Sequence, residues 1–491
     1  MSRRKRPQVT RTSKAKRRTA QGLFKPNREY LSGMLDWLLP DSSIFSEMRL
    51  HGNTKWQPRA LVCLALLWAW SERKHLTDAL DDAVIFFRSL NRGFVPGTYQ
   101  GLMKALTRWT QTLMRILWPL LHKRMEEIGG RFWRIGGWVP IAFDGSRSTA
   151  PRTAANEQAF CARNYGKGKT AKYRKKKTKG MRRKKNEKNK AQPQEPQAWI
   201  TLLWHMGLRL PWMWRLGPSN SSERAHVMEM IEQGVYPKNT LFCGDAGFVG
   251  FPLWSTIVQN GGHFLVRVGA NVSLLRESAD YQLVHKTLVL CWPKAMQSKH
   301  PPLRLRLTKV RIGKSAVYLL TNVLSSEKLT VQQMITFYRM RWGIEVEFRG
   351  LKQTMDRAKL RCRNNARLLA ELDWSIMAMA TAELFALKEQ LAHKAKSSHP
   401  DAPTPTQRSL AGAMRAIRSC IRRPNEIPLA GQDLPTLLRA AVTDSYKRTS
   451  SKKARYRPPN PDKKPLGKPK LRTINRKERA KLNKIECRNA A

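Results

Sequence analysis

Between residues 338 and 352 the chain places Tyr338, Arg341, Glu345 and Lys352 in the spacing Y-x2-R-x3-E-x6-K. On an α-helix, at about 100° per residue, these offsets fall at about 0°, 300°, 340° and 320°, a face about 60° wide. Thr330 followed by Gln333 has the form of a capping box, and no proline occurs from Val331 to Met355. The segment therefore reads as one long helix, which Gly343 and Gly350 weaken only modestly. A plain alternative is a solvated face with an Arg341–Glu345 ion pair. One carboxylate flanked by two cations and a phenol better suits a site that holds a metal ion against phosphate.

Charge points the same way. The net charge is +57, from 92 Lys and Arg against 35 Asp and Glu. Such a balance calls for a polyanion, most simply nucleic acid. Much of it is concentrated in residues 1–28, 163–190 and 447–491, blocks of like charge expected to stay disordered until they meet that polyanion. The seven cysteines are scattered without a C-x-x-C pair, so no zinc site is expected and a reducing compartment fits. The longest apolar run, Ala60–Trp70, is too short to cross a bilayer, and the N-terminus lacks an apolar signal segment. A soluble, cytoplasmic and nucleoid-associated protein, with no membrane partner, is the expectation.

The hydrophobic period changes along the chain. Residues 29–130 read as helices, with Pro58 opening one that contains Leu61, Leu64 and Leu67. After Val95-Pro96-Gly97, Thr98 caps a helix beginning Tyr99-Gln100 and reaching Lys104, the shape of a DNA-recognition helix. From residue 138 short strands alternate with helices: Trp138–Phe143, a hairpin over 199–216, a helix from Ser221 or Ser222 to Gln233, strand Thr240–Cys243, helix Phe251–Gln259 and strand His263–Val268. The expected fold is α/β with a mixed sheet. Residues 271–325 read as a β-rich insertion, and helices resume beyond 366.

Acidic residues are scarce, so their placement is informative. Asp144 directly follows one apolar strand and Asp245, between Gly244 and Ala246-Gly247, follows another. Carboxylates at the C-terminal ends of buried strands can reach a ligand above the sheet edge. With Glu345 they make three carboxylates able to hold two divalent ions. Magnesium is the natural choice, with manganese able to substitute. Two such ions would activate the attacking oxygen and stabilise the leaving oxygen of a phosphodiester. Arg341 and Lys352 would grip neighbouring phosphates. Glu347, about 200° round an ideal helix from Glu345, is set aside.

Asp144 at a strand end, Asp245 in Cys-Gly-Asp-Ala-Gly-Phe, and Tyr338, Arg341, Glu345 and Lys352 together resemble the DDE transposases of bacterial insertion sequences, in particular the Y-R-E-K signature family. The resemblance covers about residues 140–365. It implies a ribonuclease-H-like catalytic domain over 136–365, carrying a basic disordered loop at 163–195 and the β-rich insertion at 271–325. It also implies an all-α domain at 29–135 that binds transposon ends, with Thr98, Tyr99, Gln100 and Lys104 on its recognition helix. Basic tails at 1–28 and 446–491 and a helical region at 366–445 complete the expected layout. The triad would be Asp144, Asp245 and Glu345, and the phosphate-binding trio Tyr338, Arg341 and Lys352. Trp292, the one tryptophan of the insertion, is the candidate for stacking on a flipped base. The implied partners are double-stranded DNA, both terminal inverted repeats and target, and a second copy of the chain on that DNA. The basic block at 163–190 departs from the family pattern and suits sequence-independent contact with DNA. The rival readings are a metal-dependent nuclease that cuts without joining, and a decayed, basic DNA-binding protein.

Overall fold

The computed structural model describes residues 25–48, 54, 56–90, 98–161, 195–277, 288–313, 315–396, 404–443 and 466–490. The basic stretches 1–24, 162–194 and 444–465, and the turn at 95–97, lie outside the described residues. The chain divides into two compact units, one of residues 1–128 with 350–444 and one of residues 129–349 with 445–491.

The first unit is helical. Pro58–Trp70 starts with proline at its first turn, where no intrahelical partner for its missing N–H is needed, and every residue from Leu61 to Trp70 is buried. A helix apolar all round must sit inside others. Helix Asn365–Lys396 packs against it, with the Trp70 indole donating to the Ala378 carbonyl at 2.8 Å. The same helix meets Tyr99–Gly129, where the Trp374 indole donates to Thr110 Oγ1 at 2.9 Å. The helices read from the sequence as two separate regions, 29–135 and 366–445, thus share one unit. Each alone lacks the other half of its core.

The second unit is built on one sheet of ten strands: β1 (Val139–Thr149), β2 (Gln197–His205), β3 (Leu210–Gly217), β4 (Thr240–Gly244), β5 (His263–Val268), β6 (Ser273–Arg276), β7 (Leu288–Cys291), β8 (Leu303–Ile312), β9 (Ser315–Thr321) and β10 (Lys470–Thr473). Their order is β10-β6-β7-β8-β9-β5-β4-β1-β2-β3. β1, β2 and β3 form an antiparallel meander, while β4 joins β1, and β5 joins β4, in parallel. The β3-β2-β1-β4-β5 half has runs of buried residues on both faces, as a sheet covered by helices requires. The strands of 271–325 extend that sheet through the antiparallel β5–β9 pairing. A correction concerns 446–491, expected to be a basic tail. Residues 466–490 are folded, with β10 pairing in parallel with β6 and helix Arg476–Ala490 closing a small apolar cluster of Leu275, Leu290, Trp292, Ile474 and Leu482. Two apolar side chains of that segment, Ile474 and Leu482, complete the cluster amid the surrounding charge.

Candidate active site

Asp144 and Asp245 are brought together by strand register. Ala142 of β1 pairs with Cys243 of β4, and each aspartate lies two residues further along its strand. They stand side by side where the β1–β4 pairing ends, Asp245 just past the end of β4 and Asp144 in the middle of β1, which runs on to Thr149 in pairing with β2; this corrects the expectation that Asp144 ends its strand. Each is held by a neighbouring backbone amide. The Gly145 amide donates to Asp144 Oδ1 at 2.8 Å, and the Gly247 amide donates to Asp245 Oδ1 at 2.7 Å. Gly244 is required just before Asp245, since a Cβ there would lie 2.3 Å from Phe143 Cε2.

The Y-R-E-K segment is not one helix, which corrects the sequence expectation. The capping box forms, with Gln333 N donating to Thr330 Oγ1 at 3.2 Å and Thr330 N to Gln333 Oε1 at 2.9 Å. An α-helix then runs Val331–Met340, and a second runs Gly343–Arg349. Between them the backbone tightens to three-residue bonds, Trp342 N to Arg339 O, Ile344 N to Arg341 O and Glu345 N to Trp342 O, at 3.1–3.2 Å. From Gly350 to Thr354 it loosens to a π turn, with Met355 N bonding Gly350 O at 3.1 Å. The cause of the first break lies under Gly343. Its backbone presses on the buried Trp204 ring of β2, leaving no room for a Cβ.

The second helix packs on β1, which carries Glu345 to the aspartates. Arg341, 7% exposed, holds its guanidinium between two carboxylates, with Nη1 3.7 Å from Asp144 Oδ2 and Nη2 3.8 Å from Glu345 Oε1. The Tyr338 ring lies against it, 5.8 Å from ring centroid to Cζ. Burial pushes the Asp144 carboxyl up to about 6; the Gly145 amide and Arg341 oppose this, while Asp245 and Glu345 add to it. Glu347, the competing acid, faces inward, is 6% exposed, and accepts from the Trp204 indole at 3.2 Å. Lys352 falls within the helical unit, where burial lowers its ammonium below the ordinary lysine value.

A fourth carboxylate was missed. Glu223 opens helix Glu223–Gln233, behind a Ser222 cap, and its Oε1 sits where a Cβ on Gly145 would be, at 2.3 Å. Burial raises its carboxyl above the usual range, and Asp144 and Asp245 raise it further. In sequence it reads as an ordinary first-turn acid facing the helix dipole.

Trp292, the candidate for base stacking, lies in a core cluster. It is 3% exposed in the cluster with Leu275 and Leu290, and its indole donates to the His300 carbonyl at 2.8 Å. Thr98, Gln100 and Lys104 are exposed at the start of helix Tyr99–Gly129, where Thr98 Oγ1 accepts from Gly101 N at 3.2 Å. Tyr99 is half-buried, its hydroxyl 3.7 Å from Cys362 Sγ.

The donor chemistry suits a hard divalent cation, since every candidate ligand is a carboxylate oxygen and crowding already burdens Asp144. Among the described residues, however, no three acidic, histidine or cysteine side chains stand close enough to share one ion. In this arrangement the guanidinium of Arg341 occupies the space between two of them, and its buried Nε and Nη1 make no hydrogen bond.

Residues 140–380 match the family model of the transposase DDE domain. That match supports a DDE transposase. No curated protein matches the chain. Among solved structures the chain is similar to piggyBac transposase in its synaptic complex with hairpin DNA, determined by cryo-EM. The identity is 14% over 88% of each chain, and the TM-score of 0.37 is too low to define a common fold. Among the described residues, no helix is long and apolar enough to cross a membrane.

Proposed function

We propose that the protein is a DNA transposase of the Y-R-E-K type, cleaving at the ends of its own insertion sequence and transferring the freed 3′-hydroxyl into target DNA. One observation carries the reading. Asp144 of β1 and Glu345 of a helix flank a single buried guanidinium, that of Arg341, and Asp245, just past the end of the neighbouring β4, acts on Asp144. The strand order β3-β2-β1-β4-β5 supports a ribonuclease-H-like scaffold beneath them.

In this reading Asp144, Asp245 and Glu345 would hold magnesium, and Glu223 adds negative charge beside them. When bound, magnesium supplies Lewis-acid activation of the attacking and leaving oxygens of the phosphodiester. Arg341 carries N–H donors without hydrogen bonds, suited to a scissile or neighbouring phosphate, and the Tyr338 ring orients that guanidinium. Lys352 enters from the sequence motif alone, as a further phosphate contact. The helical residues 29–135 would bind the terminal inverted repeats, and two copies of the chain would bring two ends together.

The test is purified full-length protein with magnesium and a linear fragment carrying the terminal inverted repeats of the element. Joined products support transposition, cleavage without joining supports the nuclease, and binding alone supports the decayed binder. Glu345→Gln removes the charge and keeps the shape, so cleavage and joining should vanish while DNA binding stays. Strand transfer that survives this substitution sinks the assigned triad.

A further inference from the structure

The helical unit contains a cavity of about 470 Å³, within the range of small-ligand sites, lined by Lys74, His75, Tyr99, Arg361, Arg363 and Arg367 among others. Among the described residues its lining includes four Lys or Arg side chains and no carboxylate. One of the four, Arg361, is paired with Asp356, and an anion entering the hollow would still meet positive charge from both walls.

Two features of the backbone add to this. Helix Leu76–Ser89 begins at the cavity wall, and its first turn has no side-chain cap on the His75 side. Its leading amides and positive dipole end lie at that wall, beside Asp78 of the same turn. The opposite wall is fixed from behind. Glu371, fully buried, accepts from the amides of Arg361 at 3.1 Å and Cys362 at 2.9 Å. The Arg361 guanidinium is itself held by Asp356 Oδ2 at 2.6 Å and by the Arg73 carbonyl at 2.8 Å. Lys74 and Arg363 are exposed and Arg367 is half-exposed, all on this rigid frame. A wall held in place before binding loses little entropy when an anion arrives.

We propose that this cavity is a second phosphate site, which takes a backbone phosphate of DNA with its attached sugar. Lys74, Arg363 and Arg367 supply the charge, the start of helix Leu76–Ser89 supplies amides, and Tyr99 contributes a half-buried ring to the lining. The proposal rests on the reading of the chain as a protein that acts on DNA. It also gives Tyr99 a role other than reading bases in a groove.

The experiment measures anisotropy of a short labelled DNA duplex of random sequence against full-length protein in EDTA, across a range of salt. Lys74→Ala/Arg367→Ala should lower the slope of log affinity against log salt by about 1 relative to wild type, the loss of one phosphate contact. The control Arg415→Ala/Arg423→Ala removes the same charge from exposed positions outside the cavity and should leave the slope nearer wild type. Thr77→Glu, which adds a carboxylate at an exposed lining position, should reproduce the loss while leaving all four cations in place. Equal slopes for the cavity and control variants overturn the proposal. If inorganic phosphate or dAMP binds in the cavity and that binding is lost in the double variant, while the DNA slope is unchanged, the site belongs to a free nucleotide and the DNA assignment fails. Cleavage with magnesium is run on the same protein. Unchanged slopes with cleavage intact remove only the second site, whereas altered slopes without cleavage under any condition remove only the transposase reading.

Discussion

Gly343→Ala adds one methyl group at the tightest point beneath Glu345. An ideal Cβ would lie 2.3 Å from Trp204 Cη2 and 2.9 Å from Cζ3. Relaxed carbon contacts sit near 3.5–4.0 Å, so ring or helix must move by more than about 1 Å. The ring is enclosed, being 1% exposed on β2, and its indole bond to Glu347 at 3.2 Å ties it to this same helix. The helix is the part that gives. Overpacking of this kind costs about 1–3 kcal/mol, offset by about 1 kcal/mol from replacing glycine in a helix. The net loss of about 0–2 kcal/mol converts to a fall in Tm of up to about 8 °C for a domain of this size. Glu345 follows two residues later and moves with its helix, and a misplacement near 1 Å costs about 100-fold in rate. Calorimetry and end cleavage with magnesium should therefore separate, with a small thermal loss beside a large kinetic one. The double variant Gly343→Ala/Trp204→Phe, with a smaller ring, should recover part of both. A Gly343→Ala protein with wild-type cleavage and a raised Tm would show that the contact is not what positions the helix.

The two acids of the second helix should behave oppositely: Glu347→Gln keeps an acceptor for the Trp204 indole and should retain cleavage, whereas Glu345→Gln should lose it at unchanged Tm. Trp292→Ala should cost about 3–5 kcal/mol in unfolding measurements and leave DNA affinity unchanged, since the ring is a core element. Burial holds both His226 and His263 below the ordinary histidine value, so these two bind more protons in the unfolded chain and lower stability as pH falls through about 6.5. Asp144, raised to about 6, and Glu223 bind more protons in the folded chain and oppose them over the same range. Asp144→Asn/Glu223→Gln should therefore make Tm fall more steeply from pH 7 to 5 than in the wild type, and an unchanged slope would contradict this.

Much of the site could be read from residue order because the relevant physics is local. Asp144 and Asp245 follow apolar runs that can only be strands, and parallel pairing of those strands places the aspartates together. Thr330 with Gln333, Ser222 and Thr98 marked helix starts correctly, since caps depend on a few adjacent residues. The unbroken helix over 331–355 failed for a non-local reason. A constant 100° projection assumes one pitch, and the pitch changes where Gly343 meets Trp204 and again from Gly350, where a Cβ would lie 2.7 Å from Leu410 Cδ2. Both glycines read as weak points of a helix but are sites of close approach. Glu223 was missed, and the burial of Trp292 was not legible, because which face of a short element turns inward depends on partners far away in sequence. The folded segment at 466–490 was hidden by charge, its few apolar residues being too sparse to show a period.

The pairing of β10 with β6 has a consequence for how the molecule is made. β6 ends at Arg276 and its edge partner begins at Lys470, after the chain has gone through the second half of the helical unit. At about 5–20 residues per second of synthesis, that strand edge stays open on the ribosome for roughly 10–40 s. Until it closes, a row of unpaired backbone groups can recruit any passing strand. A chain released early therefore carries a sticky, unfinished sheet and becomes a substrate for proteolysis.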